Sequence, residues 1–191
     1  TDSTSLADIR GKHVMLYFSA HWCGPCRAFT PSLVKFYDEY AEQLNFEIIF
    51  VSGDNSQEQF NEYYAEMPWK ALPYDDQANL SNLNKHFGVR GIPTLVVLDP
   101  EFNLITDKGR MMLMGDVNGE EFPWYPKMVD RLTGGTAMDL NDKAGLIVYV
   151  KGDDSRVEAL KAVAAEFEEK DDKPKVKFFY VDAESENDQI V

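Results

Sequence analysis

The two cysteines of the chain form a single C-x-x-C motif, within the stretch Trp22-Cys23-Gly24-Pro25-Cys26-Arg27. Two thiols at this spacing interconvert with a disulfide, and the thiolate is the nucleophile of that exchange. We expect Cys23 to attack a substrate disulfide. We expect Cys26, one helical turn further on, to release the mixed disulfide that results. The motif therefore predicts a thiol–disulfide active site.

Other uses of a cysteine pair fit the sequence less well. A structural zinc site usually takes four ligands, whereas the chain has no second C-x-x-C and its three histidines form no H-x₃₋₅-H pair. A purely structural disulfide across so short a loop would restrict the unfolded chain very little. We therefore expect no metal ion at the motif, and the exchange chemistry implies no bound organic cofactor.

The residues around the motif predict a strand followed by a helix. The apolar run 14–18 precedes the cysteines, and large apolar residues follow them at helical spacing: Phe29, Leu33, Phe36, Tyr40 and Leu44. The thiols then lie at a helix N-terminus, where unpaired backbone N–H groups and the helix dipole favour a thiolate. Pro25 suits the first turn, because its missing N–H would have no partner within the helix.

A second segment, Gly91-Ile92-Pro93-Thr94, precedes another predicted strand. A cis-proline there would present the backbone N–H and C=O of Ile92 to an extended substrate. An isolated X-Pro bond is usually trans, so the cis interpretation depends on the presence of the C-x-x-C motif in the same chain. The predicted substrate-binding residues are Trp22, Gly24, Pro25, Gly91, Ile92 and Pro93.

Two residues that flank the cysteines have alternative interpretations. Trp22 fits either a core aromatic residue or a partly exposed substrate contact, and its place beside Cys23 favours the contact. Arg27 directly follows Cys26 and fits either an ordinary surface charge or an electrostatic support for the thiolate. The sequence leaves both interpretations of Arg27 open.

Alternating strand and helix patterns predict an α/β fold for residues 1–133, with a central mixed sheet flanked by helices. The predicted elements that follow the first helix are a strand at 46–52, a helix that stops at Pro68, a helix at 80–87, a strand at 95–98, a return strand at 104–106 and a final helix near 127–132. Residues 134–143 form a predicted linker. Residues 144–191 predict a partial βαβ unit without cysteines, which we interpret as the truncated start of a second, non-catalytic domain.

Composition narrows the partners and the compartment. The formal net charge of −14 argues against sequence-independent binding to nucleic acid and against adhesion to anionic lipid. The chain has no apolar run long enough to predict a membrane-spanning helix. Because neither cysteine lies outside the motif, we expect a reducing compartment, the cytoplasm or the nucleus.

Several stretches resemble the thioredoxin superfamily, and within it the nucleoredoxin family. The general features are Trp-Cys-Gly-Pro-Cys before a helix, Pro31, and Gly-Ile-Pro-Thr before a strand. The stretches specific to nucleoredoxins are residues 17–23, 45–52, 66–74 and 121–124. Tryparedoxins share several of these stretches less closely. The resemblance covers nearly all of residues 6–133, and residues 144–191 are similar to the start of the C-terminal thioredoxin-like domain of nucleoredoxins.

The resemblance implies a thioredoxin fold and a protein-disulfide reductase that draws electrons from NADPH through a separate, thioredoxin-reductase-like partner. It also implies an alternative function. Nucleoredoxins associate with signalling proteins, Dishevelled of Wnt signalling being the known animal example, so the cysteines would serve as a redox gate on binding.

Two departures from related patterns affect these expectations. The nucleoredoxin family usually has Pro-Pro between its cysteines, whereas this chain has Gly24-Pro25, as thioredoxin does. Thioredoxin also has a buried aspartate six residues before its first cysteine, where this chain has Tyr17, a residue that nucleoredoxins and tryparedoxins share. Without that carboxylate, deprotonation of Cys26 must use water or another group. We therefore expect a slower resolving step than in thioredoxin.

Overall fold

The computed structural model describes residues 9–127, 129–132, 144–151, 153–168 and 176–181. The chain divides into two compact units, Thr1–Tyr125 and Pro126–Val191. The linker predicted at 134–143 lies outside the described residues. The first unit ends at Tyr125, ahead of the boundary at 133 that the sequence suggests.

The first unit is built on a five-stranded mixed sheet. Its strands are β1 (His13–Ser19), β2 (Phe46–Ser52), β3 (Lys70–Ala71), β4 (Thr94–Leu98) and β5 (Leu104–Thr106). The spatial order is β3-β2-β1-β4-β5. Strands β2 and β3 extend the sheet in parallel from β1, whereas β4 runs antiparallel to β1 and β5 antiparallel to β4. The predicted mixed sheet is therefore confirmed.

Within the described residues, the helices that accompany this sheet are α1 (Gly24–Tyr40), α2 (Gln57–Tyr64), α3 (Gln77–His86) and α4 (Gly109–Gly115). Helix α1 continues through Pro31 and ends at Tyr40, so Leu44 lies beyond it and packs against the core from the following turn. Helix α2 likewise ends earlier than predicted, before Met67 and Pro68. Helix α3 agrees with the predicted helix at 80–87 but begins three residues earlier.

The central strands are buried on both faces, so their alternating side chains supply two separate cores. In β1, Met15 and Tyr17 belong to the larger core, while Val14, Leu16 and Phe18 belong to the smaller one. Helices α1, α2 and α4 contribute to the larger core, and α3 packs against the smaller. Because β1 is packed between the two cores, its C-terminal end is held in place. From there the chain passes directly to the cysteines.

Three elements differ from the sequence prediction, the first being the two-residue strand β3, which was not predicted. The segment 109–115 forms α4, which was not predicted because it has no side-chain N-cap and contributes only two buried residues. The helix predicted near 127–132 is wrong. Val129–Arg131 forms a strand, β6, which pairs in parallel with residues 178–180. The spacing of apolar residues near 129–131 could not predict this strand, because its pairing partner lies almost 50 residues away along the chain.

The second unit has a three-stranded parallel sheet. It comprises β6, β7 (Ala144–Tyr149), helix α5 (Asp154–Glu168) and β8 (Val176–Val181), with the spatial order β6-β8-β7. The predicted βαβ unit is therefore confirmed as β7-α5-β8. Its core joins Val129 and Phe178 of the sheet to Leu160 and Ala164 of α5.

Candidate active site

The C-x-x-C motif lies at the junction between β1 and α1. Cys23 has extended backbone angles and is the N-cap residue of α1, with Sγ accepting a hydrogen bond from the N–H of Cys26 at 3.2 Å. The carbonyl of Cys23 accepts the N–H of Arg27 at 3.1 Å, which begins the helical pattern. In the reduced protein, the same Cys26 N–H would face a Cys23 thiolate and stabilise its charge.

Cys23 and Cys26 are joined by a disulfide, with their Cα atoms 5.2 Å apart. Cys23 keeps 5% of its surface exposed, whereas Cys26 has none. A substrate therefore has access to the sulfur of Cys23 before that of Cys26. This difference agrees with an attacking role for Cys23 and a resolving role for Cys26.

The predicted substrate-binding segment 91–93 lies beside the disulfide. The Ile92–Pro93 peptide bond is cis, and the carbonyl oxygen of Ile92 is 3.8 Å from Cys23 Sγ. The side chain of Ile92 also packs against the small apolar cluster of Ala20, Cys23 and Cys26. Gly91 is exposed, and Ile92 and Pro93 are partly exposed. The fold thus brings together two segments that are far apart in the sequence.

Trp22 is not a core residue, since 54% of its surface is exposed beside Cys23. Its indole N–H donates to the carbonyl of Gly53 at 2.9 Å, which anchors one edge of the ring and leaves the rest open to solvent. Gly24, Pro25 and Arg27 are exposed around it. This exposure agrees with a substrate contact at Trp22, whereas the role of Arg27 remains a prediction.

The loop after β2 holds the active-site loop in place. The Asp54 carboxylate accepts the backbone N–H of His21 at 2.7 Å and the hydroxyl of Ser52 at 2.7 Å. Asp54 and Ser56 both precede α2 with side chains suited to capping it, and Ser56 is the residue that caps it. Asp54 instead fixes the turn that precedes the cysteines. The hydrogen bond from His21, which lies 33 residues earlier in the chain, distinguishes this role of Asp54 from helix capping.

Four buried hydroxyl groups lie beneath Cys26, and we call them the hydroxyl cluster: Tyr17, Ser19, Thr30 and Tyr63. Tyr17 and Thr30 both contact the carbonyl oxygen of Cys26, at 3.3 and 3.1 Å. Desolvation by burial raises the pKa of Tyr17 well above its ordinary value of 10.0, so its phenol stays protonated at neutral pH. Tyr63 lies on the buried side of α2, and nothing in the local sequence reveals where its hydroxyl points.

The described ranges contain no cluster of three or more His, Cys, Asp or Glu side chains suited to a metal ion. Among the helices of those same ranges, none combines the length and apolar character needed to cross a membrane.

A thioredoxin-like family model matches residues 11–104, the part of the chain that contains both the cysteines and Pro93. Tryparedoxin of Trypanosoma brucei brucei is 44% identical over 121 residues, a match that covers 63% of this chain and 84% of that protein. The chain belongs to the thioredoxin-like family that includes the tryparedoxins and nucleoredoxins. Human nucleoredoxin is 46% identical over 170 residues, which cover 88% of this chain but 39% of that protein.

Solved structures of the family agree with the fold. Tryparedoxin I of Leishmania major has a TM-score of 0.64 at 42% identity, covering 66% of this chain and 88% of that one. Tryparedoxin II, solved in complex with glutathionylspermidine, has a TM-score of 0.63 at 45% identity, covering 65% of this chain and 87% of that one. The chain thus carries Cys23 and Cys26 as the cysteine pair of a thioredoxin-like protein, and it spans about two fifths of the length of the mammalian nucleoredoxins that it matches.

Proposed function

We propose that the chain reduces disulfides of other proteins by dithiol exchange, with Cys23 attacking and Cys26 resolving. The observation that carries this proposal is the position of the cysteine pair at the start of α1, against the carbonyl oxygen of Ile92. That carbonyl and the exposed ring of Trp22 offer backbone and apolar contacts to an extended substrate on either side of Cys23.

The exchange proceeds in two balanced steps. The Cys23 thiolate attacks one sulfur of the substrate disulfide, forming a mixed disulfide and releasing the other substrate sulfur as a thiolate. The Cys26 thiolate then attacks Cys23, forming the intramolecular disulfide and releasing the second substrate sulfur. Two electrons pass from the protein to the substrate, and each released thiolate takes a proton from water.

The electron donor in this proposal is NADPH, acting through a separate reductase of the thioredoxin-reductase type. We place the reaction in the cytoplasm, the nucleus or both, since a reducing compartment keeps a dithiol supplied with electrons. In this scheme Arg27 supports the Cys23 thiolate with a positive charge in the first turn of α1.

The test is NADPH-driven reduction of insulin disulfides in the presence of thioredoxin reductase. We expect turnover by the native chain, none by Cys23→Ser, and the same circular dichroism spectrum for both. Turnover by Cys23→Ser would reject the assignment. If the native chain shows no turnover with this reductase, direct reduction by dithiothreitol followed by insulin addition distinguishes a wrong donor from an inactive site.

The exposed indole beside the disulfide favours a second candidate, a redox-gated binding protein. Oxidation and reduction occur at the same surface as Trp22, so a partner that binds there would sense the state of the cysteines. The kinship with nucleoredoxins makes Dishevelled the first partner to test. We expect pull-down by the reduced chain and loss of binding after oxidation. Binding that ignores both oxidation and Cys23→Ser would reject the gate.

The second unit has a separate role in this proposal. We infer that residues 144–191 are part of a second, non-catalytic thioredoxin-like domain, because β7-α5-β8 is a parallel βαβ unit and this segment contains no cysteine. It would then extend the protein without adding a redox centre.

A further inference from the structure

The hydroxyl cluster occupies the space beneath the resolving cysteine. Tyr17 and Ser19 come from β1, Thr30 from α1 and Tyr63 from α2, and each is at most 1% exposed. Their oxygen atoms form a continuous series of contacts: Ser19 to Tyr63 at 3.0 Å, Tyr63 to Thr30, and Thr30 to Tyr17 at 2.9 Å. The cluster consists of hydroxyl groups alone, with no carboxylate or amine among them, and its two tyrosines belong to the larger core.

Counting protons limits the directions that these hydrogen bonds can take. The series ends on the carbonyl oxygen of Cys26, which only accepts, and each hydroxyl has one proton to donate. If Thr30 donates to that oxygen, the phenol of Tyr63 must donate to Thr30, and Ser19 must then donate to Tyr63. If Tyr17 donates to the carbonyl instead, the proton of Thr30 can go to Tyr17 or to Tyr63, and the phenols of Tyr17 and Tyr63 themselves lie 3.4 Å apart. In both cases a hydroxyl proton of the cluster is donated to the carbonyl oxygen of Cys26.

Such a series has an electrostatic consequence. Hydrogen bonds arranged head to tail polarise one another, and their effect is strong where water is excluded. The positive end of the O–H dipole that meets the carbonyl oxygen of Cys26 offsets the negative charge of that oxygen. A negative charge on Cys26 therefore costs less free energy than it would in an apolar pocket of the same shape.

We propose that the hydroxyl cluster is a positioning device for the resolving cysteine, in which Tyr63 and Thr30 hold the backbone of Cys26 and favour its thiolate. The proposal rests on the exchange reaction proposed above and concerns only its second step. There the Cys26 thiol loses its proton to water and attacks Cys23. The S–S bond to the substrate breaks with its electron pair on the substrate sulfur. The cluster accepts no net proton.

The matched variants are Tyr63→Phe and Tyr64→Phe. Tyr63→Phe removes one hydroxyl from the cluster and keeps the ring that packs against Phe50. Tyr64 is the next residue of α2, and its ring packs against the same Phe50, but its hydroxyl is not part of the cluster. The two variants thus make the same chemical change on the same helix.

Ellman's reagent separates the two steps in the full-length chain. Attack by Cys23 releases one coloured thiolate at a rate proportional to reagent concentration, and attack by Cys26 releases a second at a rate independent of it. For Tyr63→Phe we expect an unchanged first phase and a second phase slowed about tenfold near neutral pH. The midpoint of the second phase's pH profile should rise by about one pH unit, because one unit corresponds to tenfold in thiolate. Tyr64→Phe should leave both phases unchanged.

Thr30 provides a rescue experiment. Thr30→Val keeps the shape of the side chain but removes its hydroxyl, and we expect the same slowing of the second phase. Thr30→Ser restores a hydroxyl at the same position and should restore the rate and the pH midpoint. A second phase whose midpoint is the same in Tyr63→Phe, Thr30→Val and the native chain would overturn the proposal. Absence of the first phase in the native chain would instead contradict the proposed function.

Discussion

Cys23 Sγ lies 3.8 Å from the carbonyl oxygen of Ile92, a residue 69 positions further along the chain. The antiparallel pairing of β1 with β4 creates this contact, since it places Phe18 opposite Thr94 and so brings the ends of the two segments together. The surface around Cys23 is therefore built from the segment that follows β1 and the segment that precedes β4.

Trp22→Ala should weaken substrate binding without unfolding the protein. Truncating an anchoring aromatic at an interface costs more than about 1 kcal/mol, so we expect KM for a protein disulfide to rise about tenfold. Because the ring is half exposed, the free energy of unfolding should fall by only about 1 kcal/mol, the worth of its hydrogen bond to Gly53. Steady-state insulin reduction and urea denaturation measure the two quantities. Trp22→Phe, which keeps an aromatic ring, should retain most of the affinity, and an unchanged KM in Trp22→Ala would contradict the substrate contact.

Gly109→Ala should destabilise the first unit, whereas Gly115→Ala at the other end of α4 should not. A Cβ at Gly109 would lie 2.7 Å from the carbonyl oxygen of Leu95 and 2.9 Å from Cγ2 of Val97, whereas a Cβ at Gly115 would meet nothing within 4 Å. Overpacking of this kind costs about 1–3 kcal/mol. Urea denaturation of the two variants gives the comparison, and equal stabilities would show that α4 does not pack closely on β4.

Asp116→Ala should loosen the segment that follows α4. Its carboxylate accepts the backbone N–H groups of Glu120 and Glu121, both at 2.9 Å, and the indole N–H of Trp124 at 2.8 Å. Trp124 is 4% exposed, so loss of its acceptor leaves a nearly buried donor unpaired, at a cost of about 1–3 kcal/mol. Thermal denaturation checks this loss. Glu120→Ala is the control, because the exposed Glu120 contributes only its backbone N–H, and a similar loss in both variants would contradict the assignment.

His13 should make the first unit less stable as the pH falls. Desolvation by burial lowers the pKa of His13 below its ordinary value of 6.5, although Asp99 and Glu101 act in the opposite direction. The unfolded chain therefore binds a proton at this residue more readily than the folded chain. The contribution to stability is complete above pH 6.5 and is lost as the pH falls through the lower pKa of the folded state.

The measurement compares the free energy of unfolding at about pH 7 and about pH 5 in His13→Asn and His86→Asn. His86 is exposed, so its substitution should leave the pH dependence of the native chain intact. His13→Asn should reduce the fall in stability on acidification. A fall of the same size in both variants would assign the acid sensitivity to other groups.

Local sequence patterns predicted the parts of the fold that depend on consecutive residues. The apolar run before the cysteines is β1, the helical spacing after them is α1, and the run at 46–52 is β2 over the same residues. When one or both faces of a helix or strand are buried, its apolar residues recur at a characteristic spacing. That spacing can be read from the local sequence alone. The short α4 lacks that information, because only Gly109 and Leu113 of its residues are buried.

The sequence by itself determined the redox pair and the helix start that holds it, because both depend on the identity and spacing of neighbouring residues. Only the tertiary structure decided which distant groups surround that pair. Strand pairing brings Ile92 to Cys23, helix packing brings the hydroxyl of Tyr63 to Thr30, and Val129 joins a strand whose partner lies near residue 178. These contacts link residues that are remote along the chain, so the local spacing of apolar residues does not predict them. They form only when the whole chain folds around its close-packed cores.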